Sequence, residues 1–252
     1  MTSKNIISLD ISLISFKNAI ESIRELAKNK KPSYSCFANV HMLIEAHRNS
    51  AFQSKVNQAN YVFADGMPVA ASLKLLHGIK QDRIAGMDFM PRFLDVCHRE
   101  KLSVFFFGSS NEILEQLKRK LEMQNMGSVV CGAFSPPYKE FSKEDNTSFH
   151  AAINAAKPNL VFVALGCPKQ EIWMSENYSF INAPLLGVGG AFSVFAGAIT
   201  RAPAWMQRLS LEWLYRLWQE PQRMWKRYLV TNTLFLLLIT KEFFLIKLKI
   251  KK

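Results

Sequence analysis

The residues best suited to chemistry lie where apolar runs end in a polar residue or glycine. Asp65 follows the run YVFA and precedes Gly66. A carboxylate in that position can act as general base on a sugar hydroxyl within hydrogen-bond reach, and a glycine beside it permits close approach of a substrate. A turn or a helix cap is the alternative for an isolated Asp-Gly pair.

Other runs end in a similar way. The run beginning at Tyr34 ends at Asn39, LVFVAL is followed by GCPKQE, and PLLGV is followed by two glycines. Amide, carboxylate and backbone N–H groups at such ends can bind a sugar, a phosphate or a nucleobase. These further candidates are Asn39, Gln170, Glu171, Gly189 and Gly190.

Arg83 is a candidate of a different kind. Its guanidinium can bind a phosphate or a carboxylate through two hydrogen bonds. Asp88 follows five residues later, and we interpret it as a helix cap.

Basic and aromatic residues are concentrated between Arg201 and Tyr228. This stretch holds four of the five tryptophans, and positions 201–252 hold 11 of the 32 Lys/Arg but only 3 of the 20 Asp/Glu. A localised basic segment favours an anionic partner such as nucleic acid, phospholipid or a phosphorylated substrate. A helical surface with solvated arginines is the alternative.

An apolar tail with lysines follows, from Leu229 to Lys252. Its uninterrupted apolar run is far shorter than the ~20 residues of a membrane span. Flanking lysines and nearby tryptophans predict an amphipathic helix lying in an anionic membrane interface. The alternative is a helix docked on the body of the protein or on a second subunit.

The sequence offers no metal motif and no cofactor motif. None of the five histidines is spaced i, i+4 from another, and GVGG is neither GxGxxG nor a Walker loop. The four cysteines are widely spaced and lie in or beside apolar runs, which predicts free thiols in a reducing compartment. The N-terminus lacks a signal-peptide core, so we expect a cytoplasmic protein.

The elements that must position these residues alternate between strand and helix. This alternation predicts an α/β fold with a Rossmann-like, mainly parallel sheet flanked by helices. Ligands of such sheets bind outside the carboxyl ends of the strands, where the candidates fall. We expect a catalytic domain at 1–200 and a basic, aromatic, helical appendage with an amphipathic, membrane-associating tail at 201–252.

Six short motifs occur in a characteristic order. They are ADGMP (64–68), RIAGMD (83–88), GCPKQE (166–171), GVGGAF (187–192), TRAP (200–203) and LEWLYRLWQEPQR (211–223). Together they resemble the WecG/TagA/CpsF glycosyltransferase family over about residues 39–228. The resemblance implies an inverting, metal-independent transfer of an N-acetylmannosamine-type sugar from a UDP donor to polyprenyl-diphosphate-linked N-acetylglucosamine. It also implies peripheral attachment to the cytoplasmic face of the bacterial cell membrane, in teichoic acid, common-antigen or capsule synthesis.

The resemblance also assigns roles. Asp65 matches the family's proposed base, and Asn39, Arg83 and Gln170 match its substrate pocket. The family's diphosphate-binding cations match Arg216, Arg223 and, as a substitution, Lys226. Gly66, Glu171, Gly189, Gly190 and Arg201 complete the predicted substrate-binding set. Ser193 departs from the aspartate common in the family, which puts donor affinity or identity in doubt.

Two other classes of function remain as alternatives. A nucleic-acid-binding module could use the basic C-terminus, although its cations are interspersed with many apolar residues, and we expect no nucleic-acid partner. A non-catalytic membrane scaffold could share the fold, and another UDP-hexose could be the donor. Self-association through the apolar tail is a further expectation.

Overall fold

The computed structural model describes residues 2–203, 205–206 and 211–250, without the side chains at positions 216, 223, 224, 226, 227, 249 and 250. Its strands are β1 (Ser3–Ile6), β2 (Leu9–Ser12), β3 (Ser33–Ala38), β4 (Tyr61–Ala64), β5 (Val104–Gly108), β6 (Val130–Phe134), β7 (Leu160–Ala164) and β8 (Pro184–Gly187). Six of them form one sheet in the order β4-β3-β8-β7-β5-β6, and every neighbouring pair is parallel. The predicted α/β fold with a mainly parallel sheet is confirmed.

Helices cover both faces of this sheet. They are α1 (Phe16–Lys28), α2 (Val40–Arg48), α3 (Ser50–Asn57), α4 (Met67–His77), α5 (Gly86–Glu100), α6 (Asn111–Met123), α7 (Lys143–Ala155), α8 (Lys169–Asn177), α9 (Ala191–Ala196), α10 (Glu212–Gln219) and α11 (Pro221–Ile250). Successive strand side chains point to opposite faces. Phe105 and Phe107 therefore pack with α2, α3, α4, α7, α8 and α11, whereas Phe106 packs with α1, α5, α6 and α9.

The connection pattern opens a crevice between β3 and β8. These strands are neighbours, yet β3 leads into α2 on one face and β8 leads into α9 on the other. Such a reversal separates the loops at the carboxyl ends and leaves room for a ligand. Asn39 follows β3 and Gly189 follows β8, so this topology brings two predicted strand-end residues to one edge.

The hairpin β1–β2 forms a small sheet of its own and packs against β4, where Ser12 Oγ accepts the Val62 N–H at 3.0 Å. Its strands pair antiparallel. At its turn, the backbone N–H of Ile7 donates to both carboxylate oxygens of Glu242 on α11, at 3.1 and 3.2 Å. The hairpin therefore fastens the second half of α11 to the body of the protein.

Helix α11 has one docked side and one exposed apolar side. Thr231, Phe235 and Ile239 are buried at a spacing of four residues, and the helix packs against α2 and α4. The exposed apolar stripe, as we call it, consists of Leu229, Val230, Leu236, Leu237, Phe244, Leu245 and Leu248. The docked-helix alternative is thus correct for one side of α11.

The predicted shortness of the apolar tail is wrong by length and composition. Tyr228–Leu248 forms 21 residues of continuous helix with a mean hydropathy of 1.7, long and apolar enough to cross a membrane. The polar residues at 231–233 and the charged pair Lys241 and Glu242 interrupt the run of apolar letters, but none of them breaks the helix.

One further sequence prediction needs correction. Asp88 is not the cap of α5, since Ala85 precedes the helix and Asp88 lies in its first turn. Its carboxylate forms ion pairs instead, as described below.

Candidate active site

A cavity of about 480 Å³ opens beside the carboxyl ends of β3 and β4. The strand ends and the helices that follow them form one wall, and α10 and α11 form the other. The lining residues are Asn39, Val40, His41, Asp65, Gly66, Met67, Pro68, Arg83, Met87, Glu212, Trp213, Tyr228, Thr231, Asn232, Phe235 and Leu236. Of the residues predicted from sequence, the cavity brings together Asn39, Asp65, Gly66 and Arg83.

Asp65 is held in place by its backbone. Its N–H donates to Ala38 O at 2.9 Å, which extends the pairing of β4 with β3 by one residue. Gly66 follows with a φ of 98°, in the region that favours glycine, and caps α4. The sharp change of direction at Gly66 places the Asp65 carboxylate at the edge of the sheet, where it lines the cavity.

Two helix N-termini also line the cavity. Asn39 caps α2, because its side-chain oxygen accepts the Met42 N–H at 3.2 Å. Gly66 caps α4 without a side chain, and Pro68 lies in the first turn. The N-terminal ends of helices carry a partial positive charge from their unpaired N–H groups. This side of the cavity therefore favours a negatively charged group.

Arg83 is part of a closed network of four charged side chains. Ile84 N–H donates to Ala64 O at 2.8 Å, which holds Arg83 beside the end of β4. The Arg83 guanidinium binds Asp88 at 2.6 Å and Glu212 at 2.8 Å. Arg201 binds the same two acids, Asp88 at 2.6 Å and Glu212 at 3.2 Å.

This charged network joins the C-terminal segment to the sheet. Arg83 and Asp88 belong to the body of the protein, whereas Arg201 and Glu212 belong to the C-terminal segment. Each carboxylate accepts from both guanidinium groups, so the positive and negative charges balance. Arg83 thus binds carboxylates in this structure, one of the two ligand types that the sequence indicated.

Gln170 and Glu171 lie beneath the strand ends and do not line the cavity. Both are buried, and Gln170 Nε2 donates to Glu171 Oε1 at 2.8 Å. The single side-chain oxygen of Gln170, Oε1, and the second carboxylate oxygen of Glu171, Oε2, have no hydrogen-bond partner among the described residues. Burial raises the pKa of Glu171 to about 7, against the opposing effect of the hydrogen bonds from Gln170 and Cys167.

The Gln170 side chain occupies space that only a glycine at position 187 leaves open. A Cβ added to Gly187 would lie 2.5 Å from Gln170 Nε2, too close for any real contact. Gln170 therefore packs directly under the end of β8, close to the β3–β8 crevice. Its contact with a substrate stays a prediction, as does that of Glu171.

Other predicted residues lie elsewhere. Gly189 N–H donates to Val163 O at 3.2 Å, and Gly190 precedes α9; neither lines the cavity. The side chains of Arg216, Arg223 and Lys226 fall outside the described part of the structure. No group of three or more His, Cys, Asp or Glu side chains within the described ranges is arranged to hold a metal ion.

The sequence interpretation missed most of the cavity wall formed by α10 and α11. Glu212, Trp213, Tyr228, Phe235 and Leu236 line it. The signal for Phe235 was present in the spacing of Thr231, Phe235 and Ile239, which places them on one side of a helix. No local spacing signals that Glu212 would meet Arg83, because 129 residues separate the two.

Comparison with known proteins gives a consistent result over nearly the whole chain. The family model described as "Glycosyl transferase WecG/TagA/CpsF family" matches residues 4–248. A protein of Bacillus spizizenii is 32% identical over 222 residues, which cover 88% of this chain and 83% of the relative. A protein of Staphylococcus aureus strain MW2 is 32% identical over 256 residues, which cover 98% of this chain and 94% of the relative.

Both relatives carry the same name, N-acetylglucosaminyldiphosphoundecaprenol N-acetyl-beta-D-mannosaminyltransferase. So does a Bacillus subtilis protein that is 32% identical over 230 residues, 90% of this chain and 86% of the relative. The resemblance seen in the six motifs is confirmed, and the protein is a glycosyltransferase. The chain belongs to the WecG/TagA/CpsF glycosyltransferase family.

Proposed function

We propose that this protein transfers an N-acetylmannosamine-type sugar from a UDP donor to polyprenyl-diphosphate-linked N-acetylglucosamine, with inversion at the anomeric carbon. The names of the relatives support both the transferred sugar and the acceptor. The observation that carries the proposal is the cavity that Asp65 and Arg83 share at the carboxyl edge of the sheet. The product would be an intermediate in synthesis of a cell-envelope polysaccharide.

The reaction needs one base, and Asp65 is in the position to supply it. Its carboxylate takes the proton of an acceptor hydroxyl as that oxygen bonds to the anomeric carbon of the donor. The bond from that carbon to the phosphate oxygen breaks at the same time, and UDP leaves with the electron pair. Attack from the side opposite to UDP inverts the anomeric configuration.

The departing UDP needs positive charge around its diphosphate. We propose that arginine side chains supply this charge in place of a metal ion. Arg83 lines the cavity, and Arg201 is joined to it through Asp88 and Glu212. We assign Arg216, Arg223 and Lys226 to the same task from the motif match alone. A phosphate oxygen can replace a carboxylate oxygen on a guanidinium, because both accept two parallel N–H bonds.

The exposed apolar stripe of α11 supports a location at a membrane. A polyprenyl-linked acceptor resides in a lipid bilayer, and the stripe presents Leu and Phe side chains beside several lysines. We propose peripheral binding at the cytoplasmic face of the cell membrane, with residues 201–252 as the membrane-facing appendage. Away from a membrane, the same stripe favours self-association.

The replacement Asp65→Asn tests the proposed function. We expect a loss of about 10²-fold or more in kcat, the scale of positioned general-base catalysis, with an unchanged melting temperature. The assay measures UDP release from a panel of UDP-sugars, with a short-chain lipid-diphosphate N-acetylglucosamine as acceptor. Asp95→Asn is the matched control, since Asp95 is an exposed carboxylate on α5 away from the cavity. Near-normal kcat in Asp65→Asn would exclude Asp65 as the base.

The same donor panel distinguishes the remaining alternatives. Release of UDP from a hexose donor other than UDP-N-acetylmannosamine would identify a different substrate. Ser193, which replaces an aspartate common in the family, would then be a candidate for the residue that changes donor identity. UDP release from no member of the panel, by a correctly folded protein, would place the donor outside the panel and would contradict the proposed N-acetylmannosamine-type sugar.

A further inference from the structure

The cavity has two chemically different walls. The sheet side contributes Asn39, Asp65 and Arg83, which suit a sugar and a diphosphate. Large apolar side chains, beside some polar ones, line the rest of the cavity, and we call Met67 on α4, Trp213 on α10 and Leu236 on α11 the apolar wall. A UDP-sugar and an N-acetylglucosamine diphosphate are mostly polar, and apart from the uracil ring and the acetamido methyl groups they offer little apolar surface to this wall.

These apolar side chains are exposed as well as cavity-lining. Met67 and Trp213 are each 39% exposed, and Leu236 is 63% exposed. Large apolar side chains that face water together in a concave site indicate a ligand that covers them. Under the proposed function, the largest apolar component of the reaction is the isoprenoid chain of the acceptor.

The apolar wall is also continuous with the exposed apolar stripe of α11. Leu236 belongs to both, and the stripe continues from it toward Phe244 and Leu248. At a rise of 1.5 Å per residue, the distance from Leu236 to Leu248 is about 18 Å. An isoprenoid chain attached to a diphosphate in the cavity could therefore leave it along the exposed leucine and phenylalanine side chains of α11.

We propose that Met67, Trp213 and Leu236 form a subsite for the isoprene units of the acceptor that are nearest its diphosphate. This proposal rests on the proposed function and adds to it a specificity-determining contact. The subsite binds the part of the lipid that has left the bilayer. Its contribution to acceptor binding is therefore separate from the attachment of the whole protein to a membrane.

Leu236 and Leu237 provide a matched pair of variants for the test. They are neighbours on α11 and are 63% and 64% exposed, but only Leu236 lines the cavity. Leu236→Gln and Leu237→Gln introduce the same polar group into the same helix. Leu236→Met is the conservative variant that keeps an apolar side chain of similar volume.

The assay uses the full chain without detergent or vesicles. Two water-soluble acceptors are compared, N-acetylglucosamine diphosphate esterified to a three-unit isoprenyl alcohol and to methanol, with UDP-N-acetylmannosamine as donor. The measured quantity is the ratio of kcat/KM for the isoprenyl ester to kcat/KM for the methyl ester. We expect Leu236→Gln to lower this ratio about tenfold, which corresponds to the low end of the free energy gained by burying a leucine side chain. Leu237→Gln and Leu236→Met should preserve the ratio.

A binding measurement gives a readout that does not depend on the donor. By calorimetry, Leu236→Gln should weaken binding of the three-unit isoprenyl diphosphate and leave binding of inorganic pyrophosphate unchanged. An equal response of the Leu236 and Leu237 variants, or no response of either, would overturn the subsite. Absence of transfer to both esters by the unmodified protein would instead overturn the proposed function.

Discussion

Replacing Glu212 by glutamine would test whether the charged network holds α10 against the body of the protein. Glu212 lies at the start of α10, and its carboxylate accepts from Arg83 at 2.8 Å and from Arg201 at 3.2 Å. Glutamine keeps the size and one acceptor oxygen but removes the negative charge. The replacement leaves Arg83 and Arg201 with Asp88 as their shared acid.

The size of the effect follows from the burial of the three side chains. Their exposed fractions are 20% for Glu212, 18% for Arg83 and 25% for Arg201. Fully exposed ion pairs contribute about 0.2–1 kcal/mol, and breaking a fully buried pair costs about 3–5 kcal/mol. Because this network is intermediate in burial, we expect a loss of about 1–2 kcal/mol in the free energy that keeps α10 docked.

Hydrogen exchange measures this free energy locally. A loss of 1–2 kcal/mol should accelerate exchange of the α10 amides by roughly 5–30-fold, whereas the amides of the central strand β7 should be unaffected. Glu115→Gln is the control, because Glu115 pairs with Lys118 at the surface of α6. Exchange of α10 within twofold of the unmodified protein would show that the network does not hold this helix in solution.

Two further predictions concern a buried carboxyl group and the exposed stripe. Because burial raises the pKa of Glu171 to about 7 from 4.5, the folded state retains this proton more strongly than the unfolded state. The free energy of unfolding should therefore decrease as pH rises from 4.5 to 7, by at most about 3 kcal/mol. Glu171→Gln should remove this pH dependence from melting curves. An unaltered pH profile in that variant would refute the assignment of the dependence to Glu171. On the stripe, Leu245→Gln with Leu248→Gln should weaken co-sedimentation with anionic vesicles by tenfold or more, whereas Met123→Gln, at a 78% exposed position on α6, should not. Equal co-sedimentation of all three proteins would exclude the stripe as the lipid contact.

The strand ends of the sheet were predictable because their signals are local. A central parallel strand is buried on both faces and appears in the sequence as an apolar run. The residue that ends such a run marks the carboxyl edge, which is how Asn39 and Asp65 were placed correctly. The edge strand β6 is only half-buried along its whole length, so the apolar run that would mark it is weaker.

The other half of the site depends on contacts between distant parts of the chain. Asp88 is of a residue type that often caps helices and lies near the start of α5, but Arg83 and Arg201 bind its carboxylate. The pairing of Arg83 with Glu212 and the docking of Phe235 on α2 and α4 arise from tertiary packing. No window of neighbouring residues contains that information, so these contacts needed the structure.

The attachment of Glu242 to the β1–β2 turn restricts the topology available to α11. A bitopic arrangement, with Tyr228–Leu248 threaded through the bilayer, would require Phe235 and Ile239 to leave the core and the Glu242 carboxylate to release Ile7 N–H. Moving that carboxylate into hydrocarbon would be costly. We infer that a monotopic arrangement, with α11 parallel to the bilayer plane, preserves every one of these contacts. In that orientation the length of α11 extends along the membrane, and the thickness of the helix, about 10 Å, sets the height above the lipid surface of the cavity that α11 lines.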